Sequence, residues 1–415
     1  MILMACACFP PEPVVAATLT HDLATRLSAG HKVRVLTPRP TRPYGFTFGT
    51  HPAGNGNFEH IILPSYTCSR LNVWGRVRES YSYGKHVSEY IREHHDHIRF
   101  VYVCTWPLLA PCLILRTSRK YSIPSVVHVE DIYPESFANK IPVLGWLIKR
   151  ILLPVDAYNL KTASKIIAVS ENMKKYLIQS RNIPPGKVEL IPNWQDENEF
   201  IRFHTVKTDT RTGAREAKPF TFMYLGNIGP VSGMDFVIRS FNDAGIPDTR
   251  LIIAGSGAMK QGCMEIARKL KNPDILFLDV PHGKVAEIQD QADVMLLHLR
   301  RGSAMSSVPS KLPAYMFSKK PVIACVDKFS DTARTVRSAR CGWVVPPEDP
   351  ARFIQALRHA AESPADLLKG MGINGYRFAM DHFSKKNNLQ KLVRLIQETA
   401  AGGRSSPEDL RPAWS

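Results

Sequence analysis

The sequence predicts an α/β protein of two doubly wound domains in tandem. Three observations carry that prediction: the length, a repeated alternation of strand-like and helix-like segments, and a polar break in that alternation near the middle. The 415 residues exceed what one ordinary core organises and suit two domains of about 100–200 residues each. At 44% hydrophobic and 22% charged the chain can bury a sizeable core, which excludes wholesale disorder, and no Gly-X-Y or heptad period places it in a fibrous class.

The first strand is read at 2–8, an apolar run closed by Phe9-Pro10-Pro11. Further short apolar or β-branched runs follow at 32–37, 60–64, 100–104, 125–129, 166–169 and 188–191, each ending in small, polar or proline residues. Longer amphipathic stretches at 14–29, 80–93 and 143–160 lie between them. Such βα alternation specifies a mostly parallel sheet covered by helices, because right-handed crossovers require it. After Asn193 the apolar content lapses until Pro219, so 1–195 is taken as one domain and 196–218 as a solvated linker. The alternation restarts with strands at 220–225, 250–254, 275–278, 294–297, 321–325 and 342–345, separated by helices at 234–242, 259–270, 284–291, 311–318 and 351–362. That gives a second domain over 219–383, a terminal helix over 384–401 expected to cross back to the first domain, and a flexible polar tail over 402–415.

The charge narrows the partners. Lys plus Arg exceed Asp plus Glu by 54 to 37, a formal +17, and such a field attracts polyanions, anionic lipid head groups or phosphorylated small molecules. Nucleic acid is not expected, since there is no helix-turn-helix, zinc-finger or RNP-like pattern and the basic residues are spread over both domains. The eight cysteines lack CxxC spacing and read as buried thiols of a cytoplasmic protein, with no metal site expected. Leu3-Met4-Ala5-Cys6 mimics a lipoprotein cleavage site but has no basic leader, so a first core strand is the reading. No run of ~20 apolar residues is present, so any membrane attachment is expected to be peripheral.

In open α/β sheets ligands bind beyond the carboxyl ends of the strands, and two such sheets facing each other are expected to form a cleft. The loop after the first strand of the second domain reads Gly226-Asn227-Ile228-Gly229-Pro230-Val231-Ser232-Gly233 before a helix opens. Backbone N–H groups in such a turn can approach a diphosphate at the positive end of a helix, although a tight turn alone would also use these glycines. Gly255-Ser256-Gly257 follows the next strand in the same way. The 226–233 loop does not match GxGxxG, and no GxxxxGK[ST] occurs anywhere, which excludes a P-loop ATPase. In Val308-Pro309-Ser310-Lys311-Leu312, Ser310 is read as an N-cap and Lys311 as a cation placed where free amides already point at an anion.

With these motifs the sequence resembles the family-4 retaining glycosyltransferases of the two-Rossmann GT-B type, and within them the fucosaminyl- and fucosyl-transferase-like enzymes of O-antigen, capsule and exopolysaccharide assembly. The carriers are Phe9-Pro10-Pro11-Glu12, Leu27-Ser28-Ala29-Gly30-His31-Lys32-Val33 and Val129-Glu130-Asp131-Ile132-Tyr133-Pro134-Glu135-Ser136 in the first half. In the second they are Ile191-Pro192-Asn193-Trp194, the Gly226 to Gly229 loop, Pro309 to Leu312, and Gly342-Trp343-Val344-Val345-Pro346-Pro347. The resemblance runs from the first strand to the last helix. It implies a nucleotide sugar, a UDP-sugar ahead of a GDP-sugar, bound mainly by the second domain. The acceptor would be bound by the first, and transfer would retain anomeric configuration with neither metal nor cofactor. Gly226, Asn227, Ile228, Gly229, Pro309, Ser310, Lys311 and Leu312 would then face the diphosphate, Gly255 and Gly257 would line the nucleotide pocket, and Val280 and Pro281 would read the base. The charge that develops on the leaving diphosphate would meet preorganised amides and Lys311. Pro11 and Glu12 would contact the acceptor, and Asp131 and Glu135 would orient or deprotonate its hydroxyl, although Glu135 also suits a plain helix N-terminus.

The sequence departs from the family pattern where many members carry two glutamates eight positions apart, since Ser306 and Ala314 stand there. The expected function is transfer of a HexNAc or 6-deoxyhexose onto a lipid-linked saccharide acceptor, with a catalytically silent sugar-nucleotide binder as the alternative. The segment 141–154 combines apolar residues, Trp146 and the basic Lys149-Arg150 pair. This profile fits either a crossover helix packed into the core or a helix lying on an anionic membrane, and the second would place the protein at the inner face of the cytoplasmic membrane.

Overall fold

The computed structural model describes residues 1–41, 56–68, 73–104, 109–138, 145–209, 218–281, 283–302 and 309–402. The chain divides into two compact units: Met1–Pro192 together with the chain from Leu389 onward, and Asn193–Asn388.

The first unit holds a seven-stranded parallel sheet of β1 (Ile2–Ala5), β2 (Val33–Thr37), β3 (Glu59–Ile62), β4 (Phe100–Cys104), β5 (Ser125–Val129), β6 (Lys165–Ala168) and β7 (Val188–Leu190), in the order β3-β2-β1-β4-β5-β6-β7. Strands β1, β4 and β5 are buried along their whole length because helices cover both faces. Edge strand β3 carries Glu59, which pairs with Arg34 of β2. The order reverses between β1 and β4, the switch point at which doubly wound sheets open a crevice.

The second unit repeats this Rossmann-like plan with six parallel strands: β8 (Phe220–Leu225), β9 (Thr249–Ala254), β10 (Ile275–Leu278), β11 (Val294–His298), β12 (Val322–Cys325) and β13 (Gly342–Val345). Their order is β10-β9-β8-β11-β12-β13, so the switch point lies between β8 and β11.

Three differences from the sequence reading have local causes. The helix expected over 80–93 spans Val73–His94; its first turns expose Trp74, Val77 and Tyr81, so an inward apolar period is legible only from Ser80. Helices Glu171–Arg181 and Asp331–Ala339 were not foreseen. Each starts from a serine whose hydroxyl accepts a backbone N–H, Ser170 from Met173 and Ser330 from Ala333, both at 3.2 Å. The expected solvated linker opens with a helix, Asn198–Asp209, that sinks Phe200 into the second core. Just ahead of it the buried Glu197 carboxylate accepts from Ser384 Oγ at 2.6 Å, Lys385 N at 2.8 Å and Lys386 N at 3.3 Å. It thereby caps the terminal helix Lys385–Gly402 and ties the two ends of this unit together. Ser306 and the tail beyond Gly402 lie outside the described residues.

Candidate active site

At the carboxyl ends of β8 and β9 the two glycine loops interlock. Gly226 N donates to Ala254 O at 3.0 Å and Ile228 N to Ser256 O at 2.7 Å, while Met259 N returns to Ile228 O at 2.9 Å. Two of the amides expected to face a diphosphate are therefore spent on holding the loops together, and the Ile228 side chain is fully buried. Among the described residues the N–H groups of Asn227 and Gly229 have no protein acceptor and remain available to an anion. Two tyrosines fix the turn from below: Tyr315 OH donates to Leu225 O at 2.8 Å and accepts from Leu225 N at 3.1 Å, and Tyr224 OH donates to Asn227 O at 2.6 Å.

Lys311 opens the short helix Lys311–Phe317, and its side chain runs across Gly226. A Cβ on Gly226 would collide with that side chain, meeting Cδ at 2.9 Å and Cγ at 3.3 Å. The ammonium stands 5.5 Å from the centre of the Tyr224 ring, and burial lowers its pKa. It has no carboxylate partner among the described residues. Ser310 takes the cap position but makes no side-chain cap bond; instead Leu312 N donates to Pro309 O at 3.1 Å. The Leu312 side chain is fully buried, so it anchors the helix in the core and is not available to touch a diphosphate. Ala314, at the position of an expected carboxylate, also packs into the core.

Gly255, at φ +128°, leaves no room for a side chain, because a Cβ there would strike the Gly226 carbonyl oxygen. Both groups are backbone and neither can swing aside. Gly255→Ala should cost on the order of 1–3 kcal/mol from the dihedral alone, readable as a lower Tm of the protein in a thermal melt. Gly257 is likewise pressed against the Ile228 carbonyl and Asn227 Oδ1. Gly255 N donates to Leu278 O at 2.9 Å, which links the loop to the carboxyl end of β10, where Val280 is half-buried and Pro281 exposed.

Sequence reasoning missed the brace on the other side of the first loop. Arg300, just past β11, bonds both Asp235 carboxylate oxygens at 2.8 and 3.0 Å, Glu348 at 2.9 Å and the Pro230 carbonyl at 3.0 Å. Buried His298 accepts Gly233 against its ring and reaches the Ser232 carbonyl at 2.8 Å through Nδ1. The available signal was position: both residues stand at the carboxyl end of a strand beside the switch point.

In the first unit Asp131 follows β5 as an exposed carboxylate without an ion-pair partner among the described residues. Two other acids expected near an acceptor are already occupied. Glu135 is bonded by Arg181 through both oxygens at 2.8 and 2.7 Å and by Tyr176 OH at 2.7 Å. Although burial opposes it, these bonds hold the Glu135 carboxyl below its usual range, so it is a poor proton acceptor. Glu12 is buried and accepts from Phe9 N at 3.3 Å and Thr41 N at 2.8 Å, tying the loop after β1 to the chain after β2. Pro11 beside it is half-buried.

Beneath this end of the sheet, buried His128 receives or gives a 2.6 Å bond with Tyr102 OH through Nδ1, and burial pushes its pKa down to about 4. Between about pH 6.5 and pH 4 the unfolded histidine binds a proton that the folded one refuses. Stability contributed here should therefore be full above pH 6.5 and fall as pH drops, by roughly 3 kcal/mol at pH 4. Urea midpoints at pH 7 and pH 4.5 check this: His128→Gln should lose less stability on acidification than the wild type.

Comparison with known proteins decides the class of molecule. Residues 16–199 match the family model of Glycosyltransferase Family 4, and residues 219–363 match that of Glycosyl transferases group 1. The two halves are glycosyltransferase domains of these types. The probable glycosyltransferase WbjE of Pseudomonas aeruginosa is 23% identical over 288 residues, covering 66% of this chain and 68% of that protein. Among solved structures, Anabaena HepE in complex with UDP superposes with a TM-score of 0.69 at 15% identity, over 96% of this chain and 99% of that one. Sucrose-phosphate synthase from Thermosynechococcus elongatus gives a TM-score of 0.72 at 15% identity over 97% and 99%. At such identities the likeness establishes the fold, and the glycosyltransferase has two Rossmann-like domains of the GT-B class. Among the described residues no cluster of three or more His, Cys, Asp or Glu could hold a metal ion, and no helix is long and apolar enough to cross a membrane.

Proposed function

We propose that this glycosyltransferase moves a HexNAc or 6-deoxyhexose from a UDP-sugar onto a lipid-linked saccharide acceptor during assembly of a surface polysaccharide, with retention of configuration. The observation that carries the donor half is Lys311, a half-buried cation lying over Gly226 with no carboxylate partner among the described residues. An unpaired cation held in such surroundings awaits an anion. Together with the Asn227 and Gly229 N–H groups it provides fixed positive charge for a departing diphosphate, and preorganised charge of this kind needs no rearrangement as the glycosidic bond breaks. In this reading Lys311 serves as the countercharge, and neither metal nor cofactor is required. Asp131 is the carboxylate left to orient the acceptor hydroxyl, since Glu12 and Glu135 are bound elsewhere. The choice of UDP draws on HepE, solved with UDP and with UDP-glucose; the polysaccharide setting draws on the WbjE relative and on WaaG, a lipopolysaccharide-biosynthesis enzyme of like fold at 16% identity and a TM-score of 0.64.

For the acceptor side the helix Gly145–Thr162 is informative because its amphipathicity is inverted. Trp146, Leu147, Ile151 and Tyr158 are exposed, with Trp146 at 69% and Ile151 at 61%, whereas Asp156 and Asn159 point inward. With Arg150 also outward, this is a surface suited to the interface of an anionic bilayer. The test incubates the protein with UDP- and GDP-sugars and a membrane extract, with and without EDTA. Sugar transfer from a UDP donor that survives EDTA is expected. Binding of UDP without turnover would instead favour a silent nucleotide-sugar binder.

A further inference from the structure

The helix Val73–His94 presents a second stripe of the same character. Trp74 is 83% exposed and Tyr81 53%, with Val77 between them and Arg78 and Lys85 on the same side, spaced at three to four residues so that they share one face. The opposite face sinks Tyr83, Val87 and Ile91 into the first core. Glu79, the acid of the early turns, is buried and bonded to Arg76 at 2.6 Å, so the early turns show a bilayer aromatic, aliphatic and cationic groups, while further along Lys85 pairs with Glu89 at 3.8 Å.

Topology aligns this stripe with the one on Gly145–Thr162. Each helix links parallel strands, leading to β4 and to β6 respectively, so each must run opposite to the strands and start at the carboxyl end of the sheet. Both pack against the helix Leu109–Lys120 that lies between them. Trp74 and Trp146 therefore occupy the first turns of two helices that run the same way and flank a third, at the end of the sheet where Asp131 emerges.

We propose that the first unit rests on an anionic bilayer through two feet, the early turns of Val73–His94 and of Gly145–Thr162, with Trp74 and Trp146 set at the level of the head groups. This rests on the membrane reading above and extends it, because two separate contacts fix the tilt of the unit on the bilayer where a single helix would leave it free to roll. The helical layer that carries both feet then lies toward the lipid surface, with Asp131 at the same end of the sheet as the feet. The occupant is a bilayer in preference to a second copy of the chain: the stripes are flanked by cations, and a formal charge of +17 opposes self-association while attracting anionic head groups.

The experiment uses the full chain and phosphatidylglycerol–phosphatidylcholine vesicles, compared with pure phosphatidylcholine. Flotation of the wild type is compared with that of Trp74→Ala/Tyr81→Ser and of Trp146→Ala/Ile151→Ser. Each pair of changes should lower the vesicle partition coefficient about tenfold or more while leaving UDP-induced thermal stabilisation intact. In vesicles with brominated acyl chains, tryptophan emission of the wild type should be quenched more than that of Trp74→Phe. If Trp74→Ala/Tyr81→Ser floats like the wild type while the other variant does not, the second foot is overturned and the single-helix reading stands. If the wild type ignores anionic vesicles, both fail. A dimer of the wild type in light scattering that the Trp74→Ala/Tyr81→Ser change dissolves would assign the stripe to a second copy and overturn the proposal.

Discussion

Lys311→Ala lowers turnover by a factor on the order of 10²–10³, the range expected when one preorganised stabiliser of developing negative charge is removed. The ammonium makes no ion pair among the described residues, so its removal breaks no native bond and the melting temperature should stay close to that of the wild type. The side chain does cover Gly226, and a small loss of packing there is compatible with an intact loop. Steady-state kinetics with saturating donor, alongside a thermal melt, separate the two effects. An unchanged kcat would remove Lys311 from the mechanism, and a collapsed melt would reassign it to structure.

The second large effect concerns Arg181, whose side chain is fully buried between two acids. It donates through Nε to Asp156 at 2.9 Å, through Nη1 and Nη2 to Glu135, and through Nη2 to the Tyr133 carbonyl at 2.6 Å. Both carboxylates hold the Arg181 pKa well above its ordinary value. Arg181→Met would leave two largely buried carboxylates facing one another, a change that costs about 3–5 kcal/mol and lowers the Tm of a unit this size by roughly 10 °C. Neutralising the acids in the same background, with Glu135→Gln and Asp156→Asn, should recover part of the loss because the uncompensated charge is gone. A single variant that melts with the wild type would show that solvent reaches the cluster. The same cluster pins the segment after β5, so reduced activity in Arg181→Met at temperatures below its melt would be the expected companion result.

The strands were legible in the sequence because most are short apolar runs bounded by breakers, fully buried in the middle of each sheet and half-buried at its edges; β4, β5, β8, β10 and β13 have the bounds that periodicity alone suggests. Helices with polar or mixed faces were harder. Leu109–Lys120 was missed although Pro111 stands in its first turn, a position where proline is tolerated. In the site, the two glycine loops and Lys311 could be nominated because their chemistry is carried by residue type and position. Their division of labour could not: that Ile228 N is consumed by Ser256 while Asn227 N is left over depends on how two loops distant in sequence meet. Glu12 and Glu135 misled for a related reason, since a carboxylate near a strand end reads the same whether it awaits a substrate or is already bonded by Thr41 N or Arg181. Arg300 was invisible because its partners Asp235 and Glu348 lie 65 and 48 positions away.

The interlocked pair of glycine loops bears on how such a protein can be re-engineered. Because Ile228 and Ser256 exchange a main-chain bond and Gly255 leaves no room beneath Gly226, neither turn can be grafted from a homologue without its neighbour. A chimera meant to accept a different sugar nucleotide has to inherit the whole stretch from β8 through Met259 as one cassette, or its halves will not mesh.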